Sequence, residues 1–451
     1  MLAALTGCSS LPTINPEMAR RNGPVKLASA RGPLSDQQSK QILAKLKSRA
    51  GETSIFDRHL ALEEGITDSP LMVGNKASLL RDGPTTYNAM FAAIGGAKDF
   101  VLMETYIIED DEIGKKFSDL LIEKSRQGIE VALMYDSAGS FSTPREFFDR
   151  LTAAGIKVQE FNPVNPLNAK NGWQFNQRDH RKLLVVDNQI AFVGGINISS
   201  VYSSGSNPGA KRVRPLEPGK DATPWRDTHL QLEGPVANEF LKLFVDGWRT
   251  QKGTPLALRG ASTPRPANGK EVVRAIGSSP DNPYSLIYAT LISAINSAES
   301  SISLTNAYFV PDPQLLNALV SAAERGVDVR IVLPSKSDFW LVLQAGRSFY
   351  DELLQGGVKI YERRDALLHA KTAVIDGVWS TIGSTNLDWR SFLNNHEINA
   401  VVLSPEFGAQ MQAMFDADVA ASNAISLEQW QRRPIGSRFG EMTARVWSRW
   451  L

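Results

Sequence analysis

The sequence predicts an α/β fold built of two similar halves, and three observations carry that prediction. A strand–helix–strand pattern occurs twice, at residues 101–135 (VLMETYIIEDDEIGKKFSDLLIEKSRQGIEVALMY) and 302–333 (ISLTNAYFVPDPQLLNALVSAAERGVDVRIVL). A His-x-Lys-x4-Asp motif occurs twice, as His180, Lys182, Asp187 and as His369, Lys371, Asp376. Each motif is followed by an Asn 17 residues beyond its His, Asn197 and Asn386.

The repeat sets the architecture. Both copies run from an apolar strand through a Tyr (Tyr106, Tyr308) and an acidic turn into a helix-period segment, then Arg and Gly, then a second apolar strand. That order implies parallel pairing through a right-handed crossover. The expected divisions are an N-terminal segment 1–70, a first half 71–259, an irregular linker 260–270 (GASTPRPANGK), a second half 271–425 and an Arg/Trp-rich tail 426–451.

Composition bounds the function. The 451 residues are enough for sizeable cores, and a charged fraction of 22% excludes a disordered or fibrous chain. The 49 Lys+Arg against 48 Asp+Glu give no global pull toward nucleic acid, so no nucleic-acid partner is expected. A single cysteine, Cys8, excludes an intrachain disulfide framework and a cysteine-based zinc site. No run of 18 apolar residues suggests a spanning helix. Leu5-Thr6-Gly7-Cys8 resembles a bacterial lipobox, with lipidation at Cys8, although only seven residues precede that Cys and none is Lys or Arg. Residues 11–40, rich in Pro, Gly and Arg without periodicity, read as a tether.

The doubled motif points to chemistry. With five His in the chain, two chance matches have odds of roughly one in ten thousand, taking Lys and Asp each at about 5% of residues. Residues i and i+2 of a strand share a face, so each His and its Lys project together. A neutral imidazole can attack phosphorus, and an ammonium beside it can hold phosphoryl oxygens. The motif Asp admits two readings. It belongs to the reactive set, or it shapes the hairpin turn that Asp187-Asn188 and Asp376-Gly377 signal. The returning strands reach GGIN (194–197) and GSTN (383–386), small residues that would let backbone N–H groups and the Asn amides approach a phosphate.

A reacting His works best when its second ring nitrogen donates to a carboxylate. The candidates are Asp-Thr-His (227–229) and His-Glu (396–397), so Asp227 is expected to orient the first half's His and Glu397 the second's. His229 and His396 are expected to support the site or the core.

These residues resemble the phospholipase D superfamily and, within it, the bacterial cardiolipin synthases. The likeness runs from about residue 70 to 435 and rests on DHRKLLVVDNQIAFVGGIN, PWRDTHLQLEGP, LTNAYFVPD, HAKTAVIDG and GSTNLDWRSFLNNHEIN. It implies two phospholipase D-like α/β halves with the active site at their interface. One His would form a phosphohistidine. The other would protonate the leaving alcohol and then deprotonate the incoming one. Carried over, His180 and His369 react, Lys182, Lys371, Asn197, Asn386 and Ser384 bind phosphate, and Glu397 partners a motif His. Family precedent makes His180 the nucleophile and His369 the acid, and the residues themselves leave that order open. No metal or cofactor is implied. One departure stands out: where the second half has Ser384 the first has Gly195, so the half-sites are chemically unequal.

The resemblance implies phospholipid substrates and a membrane surface as partners, on a bacterial membrane-associated protein anchored through Cys8. The expected reaction is phosphatidyl transfer that forms cardiolipin from phosphatidylglycerol, alone or with another phospholipid. The alternatives are hydrolysis by water, a nucleic-acid phosphodiesterase and a non-catalytic binding relative. Trp and Arg mixed through 430–451 suit a membrane interface as well as they suit a packed terminal element. The Gly/Pro-rich insertion 202–224 with its KRVR cluster reads as a solvated loop.

Overall fold

The computed structural model describes residue 11 and residues 25–51, 53–67, 69–165, 167, 173–204, 223–260 and 266–451. Cys8, most of the insertion at 202–224 and the middle of the linker at 260–270 lie outside the described residues.

Two sheets repeat each other strand for strand. In the first the spatial order is Lys157–Phe161, Glu130–Asp136, Phe100–Thr105, Leu183–Val186, Ile190–Gly194, His229–Glu233, Leu71–Leu80. In the second it is Lys359–Arg363, Asp328–Pro334, Ser301–Asn306, Lys371–Ile375, Trp379–Gly383, Asn395–Leu403, Glu271–Ser278, with Ser422–Ile425 added at the outer edge. The first three strands of each order are parallel, as the strand–helix–strand repeat requires, and the remaining pairings are antiparallel.

Local chemistry explains the crossovers. Asp111 caps helix Glu112–Arg126 by accepting from the Gly114 N–H, and Ile113, Phe117 and Leu121 form the buried stripe at intervals of four. Asp312 caps helix Pro313–Glu324 in the same way, with Pro at the first position and Leu315, Leu319 and Ala322 buried. Both helices turn into their next strand through a glycine at positive φ, Gly128 at 85° and Gly326 at 92°. The central strands Phe100–Thr105 and Lys371–Ile375 are buried throughout, and each carries an apolar run, Phe100–Met103 and Ala373–Ile375.

The halves are fused rather than tethered. Strand Leu71–Leu80 pairs with Glu271–Ser278 near its start and with His229–Glu233 near its end. One apolar core holds Val193, Leu230 and Phe240 of the first half together with Val374, Ile398 and Val402 of the second. Two short parallel pairings also cross the boundary: Arg178–Asp179 with Asn395–His396, and Trp225–Arg226 with Leu367–Leu368.

Two stretches depart from the sequence reading. The tether expected over residues 11–40, within a 1–70 leader, folds from residue 25 onward. Ser35 and Gln38 close a capping box that starts helix Asp36–Ala50. Leu27, Leu46, Ile55 and Leu60 are buried in the second half's core. The stretch read as a tail, 426–451, forms helices Leu427–Gln431 and Ile435–Val446 and a final turn, and Ala444 and Leu451 are buried in that same core. Burial of these apolar side chains against a partner distant in sequence outweighs their weak local periodicity.

Candidate active site

His180 and His369, 189 positions apart in sequence (369 − 180), line the same cavity of about 550 Å³, together with Asn197 and Asn386. The boundary-crossing strand pairs bring them there. The His180 N–H donates to the His396 carbonyl at 2.9 Å, and the His369 N–H donates to the Arg226 carbonyl at 2.8 Å. Each bond fixes a motif His against a segment that carries a carboxylate one residue further on.

That exchange corrects the expected pairing of carboxylates with imidazoles. Glu397 of the second half lies against Nδ1 of His180, at 3.0 and 3.2 Å. Asp227 of the first half lies 2.7 Å from Nδ1 of His369. Each half therefore orients the other half's imidazole. The carboxylate acceptors place a proton on each Nδ1 and leave the Nε2 lone pair as the reactive position.

The motif lysines are buried and fold back on their own histidines. Lys182 Nζ donates to the His180 carbonyl at 2.5 Å and sits 5.1 Å from the Tyr106 ring centre. Lys371 Nζ donates to the His369 carbonyl. An ammonium has three N–H bonds, so each retains donors for an anion. Burial brings Lys182 down to about 7, against the pull of Glu397, and Lys371 down to about 8, against Asp227 and Glu397.

Other expectations are revised by the geometry. Asp187 accepts from the N–H groups of Lys98, Asp99 and Phe100, at 2.8 Å each. Asp376 accepts from the backbone of Glu299, Ser300 and Ser301 and from the Thr53 hydroxyl. Of the two readings of the motif Asp, the structure takes the turn. Seven residues of extended chain, about 20 Å, separate each Asp from its His, so neither carboxylate belongs with the reacting groups. Ser384 does not face a phosphate either: its hydroxyl donates to Glu397 and accepts from the Ile398 N–H at 3.0 Å. The N–H groups of Gly195 and Ser384 are taken by the carbonyls of Thr228 and Ile398, which removes them as phosphate donors. Gly195 has a steric reason, since a Cβ there would lie 2.2 Å from Asp227 Oδ1.

The Asn pair also splits. Asn197 accepts from the Ile107 N–H at 3.2 Å and donates to the Tyr202 hydroxyl at 3.1 Å. The buried Asn386 Oδ1 lacks a protein partner among the described residues, so its amide is free to turn toward an anion in the cavity. His229 is buried with both ring nitrogens unpartnered among the described residues, and burial lowers it to about 3, which makes it a neutral core residue. His396 packs edge-on against Phe161 and supports the site through its carbonyl.

Sequence reasoning assigned no role to several lining side chains. Tyr106 packs edge-on to His180 with ring centres 5.0 Å apart, and Tyr308 lies 6.5 Å from His369. Their matched positions in the repeat were the available signal. Tyr202 and Trp225, 6.0 and 5.2 Å from His369, have no such signal. Tyr308 donates to Asp338 at 2.6 Å, and Arg178 and Arg390 also line the cavity.

The electrostatics set the resting state. Burial, then the charges of Lys182 and Lys371, hold His180 well below the usual imidazole value. His369 is lowered by burial and Lys371 but supported by Asp227. Burial raises Glu397 to about 7, with Lys182 and the Ser384 hydroxyl opposing. Both imidazoles therefore rest neutral, and an arriving phosphodiester anion would help one of them take a proton. Among the described residues, no three His, Cys, Asp or Glu side chains group as a metal site would require.

Two sheets repeating one plan around a shared pair of imidazoles define a phospholipase D-type α/β protein. The family model described as "Cardiolipin synthase, PLD-like domain" matches residues 90–204 and 291–419. The chain belongs to that family. It is 34% identical to the cardiolipin synthase of Geobacillus kaustophilus over 391 residues, 86% of this chain and 75% of that protein. It is 34% identical to cardiolipin synthase A of Pseudomonas putida over 383 residues, 84% of this chain and 75% of that one. The solved phosphatidylserine synthase of Haemophilus influenzae shares the fold at a TM-score of 0.63 and 12% identity, covering 86% of this chain and 99% of its own.

Proposed function

We propose that this chain is a phosphatidyltransferase that forms cardiolipin from phosphatidylglycerol, alone or with a second phospholipid, through a phosphohistidine. His180 Nε2 attacks the donor phosphorus as the P–O bond to the headgroup alcohol breaks, and His369 supplies the proton that the leaving oxygen needs. The acceptor hydroxyl then loses its proton to His369 Nε2, its oxygen attacks phosphorus, and the P–N bond breaks to restore His180. One phosphodiester replaces another, so no energy source enters. Lys182, Lys371 and the Asn386 amide carry the phosphate charge in both steps. The surroundings support this division of roles: Lys182 and Lys371 oppose a proton on His180, as a nucleophile needs, while Asp227 at 2.7 Å favours one on His369, as an acid needs.

The observation that carries the reading is the shared cavity: two imidazoles, each backed by a carboxylate from the opposite half, face one space. Phospholipid substrates bring the protein to a membrane surface. Among the described residues no helix is long and apolar enough to cross a bilayer. An acyl chain on Cys8, visible in the intact mass, is a further part of the proposal. The test is labelled phosphatidylglycerol with purified protein in detergent and EDTA. Labelled cardiolipin with release of glycerol is expected. Phosphatidic acid as the main product would replace transfer by hydrolysis, and activity only with added metal would end the scheme.

A further inference from the structure

The helix Ile435–Val446 is amphipathic in the wrong direction for a helix covering a core. Ile435, Phe439, Met442 and Val446 follow the spacing i, i+4, i+7, i+11 and form one apolar stripe. With Trp447 and Trp450 just beyond, these side chains are between 57% and 83% exposed. The face turned to the body carries Ala444 and Glu441, the latter buried against the Arg433 guanidinium. Six large apolar side chains left outside on one short stretch are far more than the scattered singles of an ordinary surface.

Three further observations say what covers them. The exposed Arg438 and Arg449 punctuate the stripe, while Arg445 pairs with Glu352, so the face is basic as well as apolar. Two exposed tryptophans, Trp447 and Trp450, stand at one end of the stripe, the residue type that settles where hydrocarbon meets headgroup. The surface is also continuous with the cavity: Trp450 and Phe339 both line it, and Phe339 and Trp340 are themselves exposed at the start of the neighbouring helix Trp340–Arg347.

We infer that the helix Ile435–Val446, with Trp447, Trp450, Phe339 and Trp340, is a docking surface for an anionic lipid bilayer. It seats the mouth of the His180/His369 cavity on the membrane. The helix lies in the interface plane, its stripe entering the acyl boundary while the arginines meet anionic headgroups. The inference rests on the phospholipid reading of the cavity, and its test is independent of turnover. The full chain, carrying Cys8→Ser in every arm so that no acyl group contributes, is sedimented with vesicles of phosphatidylglycerol and phosphatidylcholine. The variant is Phe439→Glu/Val446→Glu, two exposed positions outside the cavity.

The expected result is at least a tenfold weaker vesicle affinity for the double variant, with turnover of detergent-dispersed phosphatidylglycerol within about twofold of the parent. Arg438→Gln is expected to weaken binding only to vesicles that contain phosphatidylglycerol. Unchanged vesicle affinity in the double variant overturns the inference. So does a self-associated protein that the double variant splits while vesicle binding persists, since the face would then cover a second copy. Loss of cardiolipin formation in the parent itself would instead remove the functional reading and leave the vesicle result standing.

Discussion

The half-sites around His180 and His369 share a backbone plan and differ in their linings. His180 is backed by Glu397, which the Ser384 hydroxyl and the Asn395 amide hold from behind. His369 is backed by Asp227, which accepts instead from the Thr228 N–H, because a side chain at Gly195 would occupy the same space. Among the described residues the first imidazole has one aromatic neighbour, Tyr106, and the second has Tyr202, Trp225 and Tyr308. Duplicated geometry with unequal surroundings would let two identical side chains take the opposite parts that the proposed reaction requires.

The largest effects should come from the imidazoles. His180→Ala and His369→Ala are each expected to lower turnover by about 10⁴-fold or more. The two should part on a donor with a good leaving group, where His369→Ala still accumulates a phosphoenzyme and His180→Ala does not. Trapping and peptide mapping of the labelled protein reads this directly, and the reverse pattern would exchange the two roles.

Next in size are the carboxylates, which test the crossing of the halves. Glu397→Gln and Asp227→Asn should each cost about 10²- to 10⁴-fold in kcat. Their pH profiles should differ. Asp227 raises the proton affinity of His369, so its loss moves the alkaline limb of kcat to lower pH as the acid gives up its proton sooner. Glu397→Gln should leave that limb in place. A smaller effect is expected from Gly195→Ser, which would equalise the two linings. Crowding against Asp227 should destabilise the fold by about 1–3 kcal/mol, read as a Tm lower by a few degrees with most activity retained below it.

Much of this was legible in the chain. The doubled His-x-Lys-x4-Asp, the matched Asn197 and Asn386 and the paired strand–helix–strand segments are local patterns, and local patterns survive in one dimension. Which half orients which His was not legible. It depends on Arg178–Asp179 meeting Asn395–His396, strands of two paired residues with no periodicity to read. Ser384 was expected to bind phosphate from the family resemblance alone, since its acceptor, Glu397, lies 13 residues away in the next strand. The folded segment from residue 25 had one overlooked signal, the Ser35-Asp-Gln-Gln38 capping box at the start of its helix.

Strand Leu71–Leu80 carries one last lesson. Because a single ribbon supplies ladder bonds to both sheets, the chamber between them cannot gape like a jaw without breaking backbone pairing. Opening that space would therefore cost backbone pairing, and under the phospholipid reading a choice among headgroups of different bulk would fall to the side chains that line it.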